Sequence, residues 1–245
     1  MAIPSYKSKG TGALSNGDPC TGITQIDATA PATVDAGDVL IFATRCRCNA
    51  GTNDSWTPPT GWTLINNAAT GAVLGYAAFY KVADGTEDGA TISASQTFTG
   101  ASSVATAQIW SYTGSGTGGV VPSAGTVTIG SSAAATMSAV TTTVTNSLAF
   151  CIVIVAGSVT IAASTGESGG DWVQSVAEET VSATASYGPQ QANMASIGTI
   201  TSGTATLGSA ASWCTISCEI KEVSGTVVPR ALLTINQAVT RAASW

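Results

Sequence analysis

Histidine is absent from all 245 residues. That removes Ser-His-Asp and Cys-His catalysis and every imidazole metal ligand. Thiols and carboxylates remain. The six cysteines stand at 20, 46, 48, 151, 214 and 218. Cys46-x-Cys48 and Cys214-x3-Cys218 each put two sulfurs on one face of a strand, so four thiolates would converge on zinc if those strands lay close. Structural zinc sites favour CxxC knuckles on turns, and these spacings lack them. Small, apolar buried thiols are the expected reading, with a disulfide formed after release from the cell as the alternative. No metal and no cofactor is expected.

The carboxylates cluster twice. Asp84-Gly-Thr-Glu-Asp-Gly89 groups three of them in one loop, where a cation would find oxygen ligands, but the spacing is not that of a calcium loop. A solvated acidic turn is expected. Asp171, Glu178 and Glu179 beside Trp172 are the acids that would serve glycoside hydrolysis. Only 6% of the chain is aromatic, too little for the ring platforms that line a glycan groove. The chain therefore reads as non-enzymatic.

The elements that would position these groups are strands. No segment of twelve or more residues carries a capped 3.6-residue apolar period. Strand signals recur at Asp38–Cys48, Val73–Val82, Ser103–Tyr112, Thr126–Ile129, Ser147–Val155, Val176–Tyr187, Ala195–Thr201 and Trp213–Glu222, separated by turn clusters such as PPTGW and ADGTEDG. In Asp38–Cys48, parity puts Leu40, Phe42, Thr44, Cys46 and Cys48 on one face and the two arginines, Arg45 and Arg47, on the other. The arginines should then meet solvent or a partner. Ser147–Val155 is apolar on both faces and reads as a central strand.

Charged residues make up 9% of the chain, against roughly 25% in an average soluble protein. A lone monomer so poor in charge has little to repel its neighbours, whereas a subunit packed in an assembly needs less. The net charge is −6, and no basic stripe or arm exists, so no nucleic acid is expected as a partner. The first residues lack the apolar core of a secretory signal. The longest apolar run, 148–157, is about half of a membrane span, so no membrane is expected either. Synthesis and assembly in a host cytoplasm follow as expectations.

Residues 1–24 are expected as an N-terminal arm, 25–223 as one β-sandwich, and 224–245 as a C-terminal arm or added strand. In the last segment Leu233, Ile235 and Val239 alternate with polar neighbours, and Trp245 follows at its end. A strand pattern beyond a domain needs an edge to pair with. Twenty-odd extended residues reach roughly 70 Å, enough to cross onto a neighbouring subunit. Folding back on the same domain is the alternative.

AGDVLIFATR, PPTGWTLI, YAAFYKVADGTEDG and IWSYTG follow one another in the first half, and TASYGP and WCTISCEIKE close the second. Over about residues 30–222 this pattern resembles a β-sandwich module of bacteriophage virion proteins, also seen in some bacterial surface proteins. The resemblance implies a single antiparallel, jelly-roll-like sandwich with extended arms, and no catalytic residues. It implies a virion component, most fittingly a head decoration or cement protein, with a homo-oligomer (trimer favoured) binding the major capsid protein or other virion proteins. The alternative is a tail-associated receptor- or carbohydrate-binding module. That would expose aromatic rings on loops, with Trp56 the ligand-stacking candidate and Trp110 and Trp172 next.

Overall fold

A computed structural model describes residues 3–15, 20–48, 53–70, 74–113, 120–122, 125–165, 172–174, 179–181 and 184–222, to which all structural statements refer. The fold is all-β and antiparallel, as the strand signals require. The first half supplies β1 (Ser5–Lys9), β2 (Ala13–Ser15), β3 (Cys20–Thr29), β4 (Val39–Cys48), β5 (Asn53–Thr57), β6 (Thr63–Thr70), β7 (Leu74–Val82) and β8 (Thr91–Thr113). They form one sheet in the order β1-β8-β4-β7-β6, with β2, β3 and β5 also paired to β8.

The second half supplies β9 (Val120–Pro122), β10 (Thr126–Met137), β11 (Val140–Thr141), β12 (Ser147–Ala156), β13 (Ile161–Thr165), β14 (Val173–Gln174), β15 (Glu179–Val181), β16 (Ala185–Met194), β17 (Thr199–Ile200) and β18 (Gly203–Glu222). Its sheet runs β10-β18-β12-β16-β14, with β9 and β13 on β18 and β15 on β16, while β11 and β17 form a small ladder of their own.

The two sheets repeat one plan. Each has a very long strand (β8, β18) next to a central apolar strand (β4, β12), followed by a third strand (β7, β16) and an edge (β6, β14). The stretch expected as one sandwich is thus built from two topologically equivalent halves. The start of the chain joins in: β1 and β2 fall where an arm was expected, and they pair with β8 of the same chain.

Three apolar cores follow from this plan. Between the sheets, Val39, Ile41, Trp110 and Tyr112 meet Leu148, Phe150, Ile152, Tyr187 and Ile216. On the outer face of the first sheet, Leu40, Phe42, Phe79 and Ile109 are covered by Ile26, Ala28 and Ala94, from β3 and the first part of β8. On the outer face of the second, Cys151, Val153 and Val155 are covered by Met137, Ile161 and Leu207. β4 and β12 are therefore buried on both faces, which explains why LAFCIVIV has no polar alternation. Each fully buried large side chain contributes about 1.5–3 kcal/mol.

The turn at Pro58-Pro59-Thr60-Gly61 forms as its residues require. Gly61 takes φ 80°, where a Cβ would be strained, and the Trp62 N–H donates to the Pro59 carbonyl at 3.0 Å. The ring of Trp62 then packs edge-on to Phe42 in the outer core of the first half.

Candidate functional site

The acidic loop is a self-contained structural device. The Glu87 carboxylate accepts from the backbone N–H groups of Asp84, Gly85 and Thr86 and from Lys81 Nζ at 2.5 Å. Its side chain is buried, 4% exposed. Asp84 accepts from the Thr86 hydroxyl and amide, and Asp88 accepts from the Val34 amide. The Glu87 hydrogen bond is the largest influence raising the Lys81 pKa above its usual value. Lysine thus supplies the positive charge that a cation would bring.

The four described thiols do not converge, and the side chains of Cys20 and Cys48 lie outside the described residues. Cys46 faces the outer core of the first half, where its thiol donates to the buried Gln96 amide oxygen, whereas Cys214 and Cys218 face the core between the sheets. Cys151 faces the outer core of the second half. Among the described residues no group of three or more metal-ligating side chains occurs. Burial pushes the Cys151 thiol up to about 12, and pushes Cys214 and Cys218 up as well. A thiolate is needed for attack. Cys46, Cys151, Cys214 and Cys218 should therefore stay unlabelled by a maleimide in the native protein and react on denaturation, as read by peptide mass mapping. Fast native labelling of any of the four would contradict this packing.

Parity failed for one arginine. Arg45 is 3% exposed and lies between the sheets, where one guanidinium nitrogen donates to the Thr184 carbonyl at 2.5 Å, beside Tyr76 and Tyr187. Arg47 is exposed as expected. The face that carries Arg45 also carries Val39, Ile41 and Ala43, which pack in the core between the sheets. Glu219 is a second buried charge that the sequence reading missed. It accepts from the Thr143 amide and hydroxyl and the Val144 amide, tying the segment before β12 to β18.

Two of the tryptophan candidates are structural. Trp110 is fully buried, and Trp172 is buried with its Nε1–H donating to the Thr201 carbonyl. Trp56 lies on β5, half-buried, its ring edge-on to Phe79 at 6.2 Å. Glu179 pairs with Tyr187 in the β15–β16 ladder. Asp171, Glu178, Leu233, Ile235, Val239 and Trp245 lie outside the described residues, as does the whole segment 223–245.

What the structure does present is an open seam. β6 ends the first sheet, and its neighbour across the sandwich is the start of β10. Asn66 Nδ2 donates to the Gly125 carbonyl at 2.6 Å, and the Gly125 amide points at the Ile65 carbonyl at 3.5 Å. Beyond that link, Asn67–Thr70 pairs with β7 on one side, and no described strand lies on the other. Leu64 on β6 is 36% exposed and Ile129 on β10 is 43% exposed. The edge strand itself, Thr63–Thr70, bears no charge and no proline to discourage pairing. No family model, curated protein or solved structure matches the chain.

Proposed function

We propose that this chain is a non-catalytic structural component of a bacteriophage particle, most fittingly a head decoration or cement protein. A homo-oligomer, with a trimer favoured, would hold neighbouring major capsid subunits together. Shell stabilisation then comes from area buried across subunit boundaries, on the order of 1,600 Å² for a standard interface. Extended segments that lace neighbours add avidity without one large flat contact.

The exterior carries this reading. Only 9% of residues are charged, and Asp38, Arg45, Glu87 and Glu219 are buried inside the sandwich. The outward-facing surface is thereby left to Ser, Thr, Ala, Asn and few ions. Such a surface suits a subunit that is largely covered in its working state. The solution mass of the full chain, compared with a chain lacking residues 226–245, tests the proposal.

A further inference from the structure

We infer that Arg45 and Tyr76 hold a single halide ion, chloride in the cell, between the two sheets. Such a site belongs to the monomer and does not depend on any assembly. Among the described residues four charged side chains are buried: Asp38, Arg45, Glu87 and Glu219. Each of the three acids has a lysine. Lys7 lies 2.6 Å from Asp38, Lys81 2.5 Å from Glu87 and Lys221 3.8 Å from Glu219. Arg45 is the charge left over, with no carboxylate paired to it among the described residues.

A guanidinium keeps its charge at any ordinary pH, and burying it without compensation is strongly destabilising. The Thr184 carbonyl, 2.5 Å from one guanidinium nitrogen, supplies a dipole and no countercharge. Nε of Arg45 is buried without an acceptor. Tyr76 stands opposite Arg45 in the β4–β7 ladder, fully buried, and its hydroxyl also lacks a partner. A bond from Nε to that hydroxyl would still leave the phenolic O–H and the positive charge unanswered. One acceptor that carries negative charge satisfies both groups at once.

The nearby hydroxyls do not supply that acceptor. Those of Thr106 and Tyr187 bond each other, and that of Tyr187 donates to the Thr106 carbonyl. Room beside the guanidinium comes from small neighbours. Ala43 and Ala78 form the next rung of the same face of the ladder, and Ala185 follows Thr184 in the core between the sheets. Arg45 is 3% exposed, so the ligand is an ion of one atom. Arg47, two residues on along the same face of β4 and exposed, marks the side from which an anion enters. Arg45 and Tyr76 come from the first half of the chain and Thr184 from the second, so the filled site is a polar tie across the shared core.

Thermal unfolding of the full-length protein in sodium chloride and in sodium gluconate of equal ionic strength tests the site. Above the dissociation constant, each tenfold rise in chloride should raise the folded-to-unfolded ratio about tenfold, and gluconate should not. In crystals grown with bromide, anomalous density should lie between Arg45 Nε and Tyr76 Oη. Arg45→Met should fold and lose the chloride dependence, because an unpaired buried charge gives way to an apolar chain. Tyr76→Phe keeps the charge and the ring, and should weaken chloride binding about tenfold through the loss of one hydrogen bond to an ion. Equal stability of the parent protein in the two salts would overturn the site, as would a chloride dependence that survives in Arg45→Met or water in place of bromide beside Arg45. If Arg45→Met does not fold, an unchanged chloride affinity in Tyr76→Phe overturns it. Acetate that stabilises as well as chloride does would overturn the assignment of a one-atom ion.

Discussion

Trp110→Ala should cost about 3–5 kcal/mol of stability, the range for removing a large aromatic from a packed core. Trp110 is fully buried in β8 and faces the opposite sheet, with its ring 6.0 Å from that of Tyr187 in β16. Tyr187 in turn bonds Thr106 of β8 through its hydroxyl, so the same few residues join the two halves. Because the core between the sheets belongs to both halves, urea should unfold them together, in one transition followed equally by fluorescence and circular dichroism. A loss under about 1 kcal/mol, or two separate transitions, would contradict a shared core. Trp110→Phe is the control. The indole N–H has no hydrogen-bond partner, so its removal should cost far less than removal of the ring.

Glu87→Ala should cost about 3 kcal/mol, the lower end for breaking a buried ion pair by removing one partner. The substitution leaves three backbone N–H groups of the β7–β8 loop without their acceptor and Lys81 without its main counter-ion. For a chain of this size the melting temperature should fall by about 2–4 °C per kcal/mol. Asp84→Ala should be nearly silent, because Asp84 is exposed and its ion pair with Lys81 is a surface pair at 3.3 Å. The sign of the pH dependence follows from the lysine. Its pKa is raised in the folded state, so the pair contributes fully at neutral pH and is lost as pH climbs through the lysine range. Equal melting temperatures for Glu87→Ala and the parent protein would show that the loop needs no internal carboxylate.

Much of the framework was legible because the central strands are extreme in composition. Both faces of 147–155 are apolar, and β12 is indeed buried along nearly its whole length. Ser103–Tyr112 and Trp213–Glu222, which the sequence marks as whole strands, are only the ends of β8 and β18. The earlier parts of those strands, such as ISASQTFTG and GTATLGSAA, are rich in Ser, Thr and Gly and lack the alternation that marks a half-buried strand. Within the stretch 176–187, which reads as one strand, the described residues form β15 (Glu179–Val181) and the start of β16 at Ala185, and 195–197 form a turn where the sequence predicts a strand.

The duplication stayed hidden for a related reason. The halves share pairing order more than residues: Arg45 stands in the core-facing row of β4, and no basic residue occurs in β12. Parity with a single buried face for β4 sends Arg45 outward, whereas the second sheet packs against that side. The acidic loop shows the opposite limit. Its residues named a charge cluster correctly, but that Lys81 and the backbone would satisfy Glu87 depends on a turn that only the fold defines. The β6 seam left no local mark in the sequence at all, because an edge is a property of sheet order.

The central claim is that this chain works as a subunit of an assembly joined by its last segment. Light scattering of the full chain and of a chain lacking residues 226–245 addresses it most directly. The account predicts a trimer or larger for the full chain and a folded monomer, with unchanged circular dichroism, for the shortened one. Equal masses for the two proteins would contradict it.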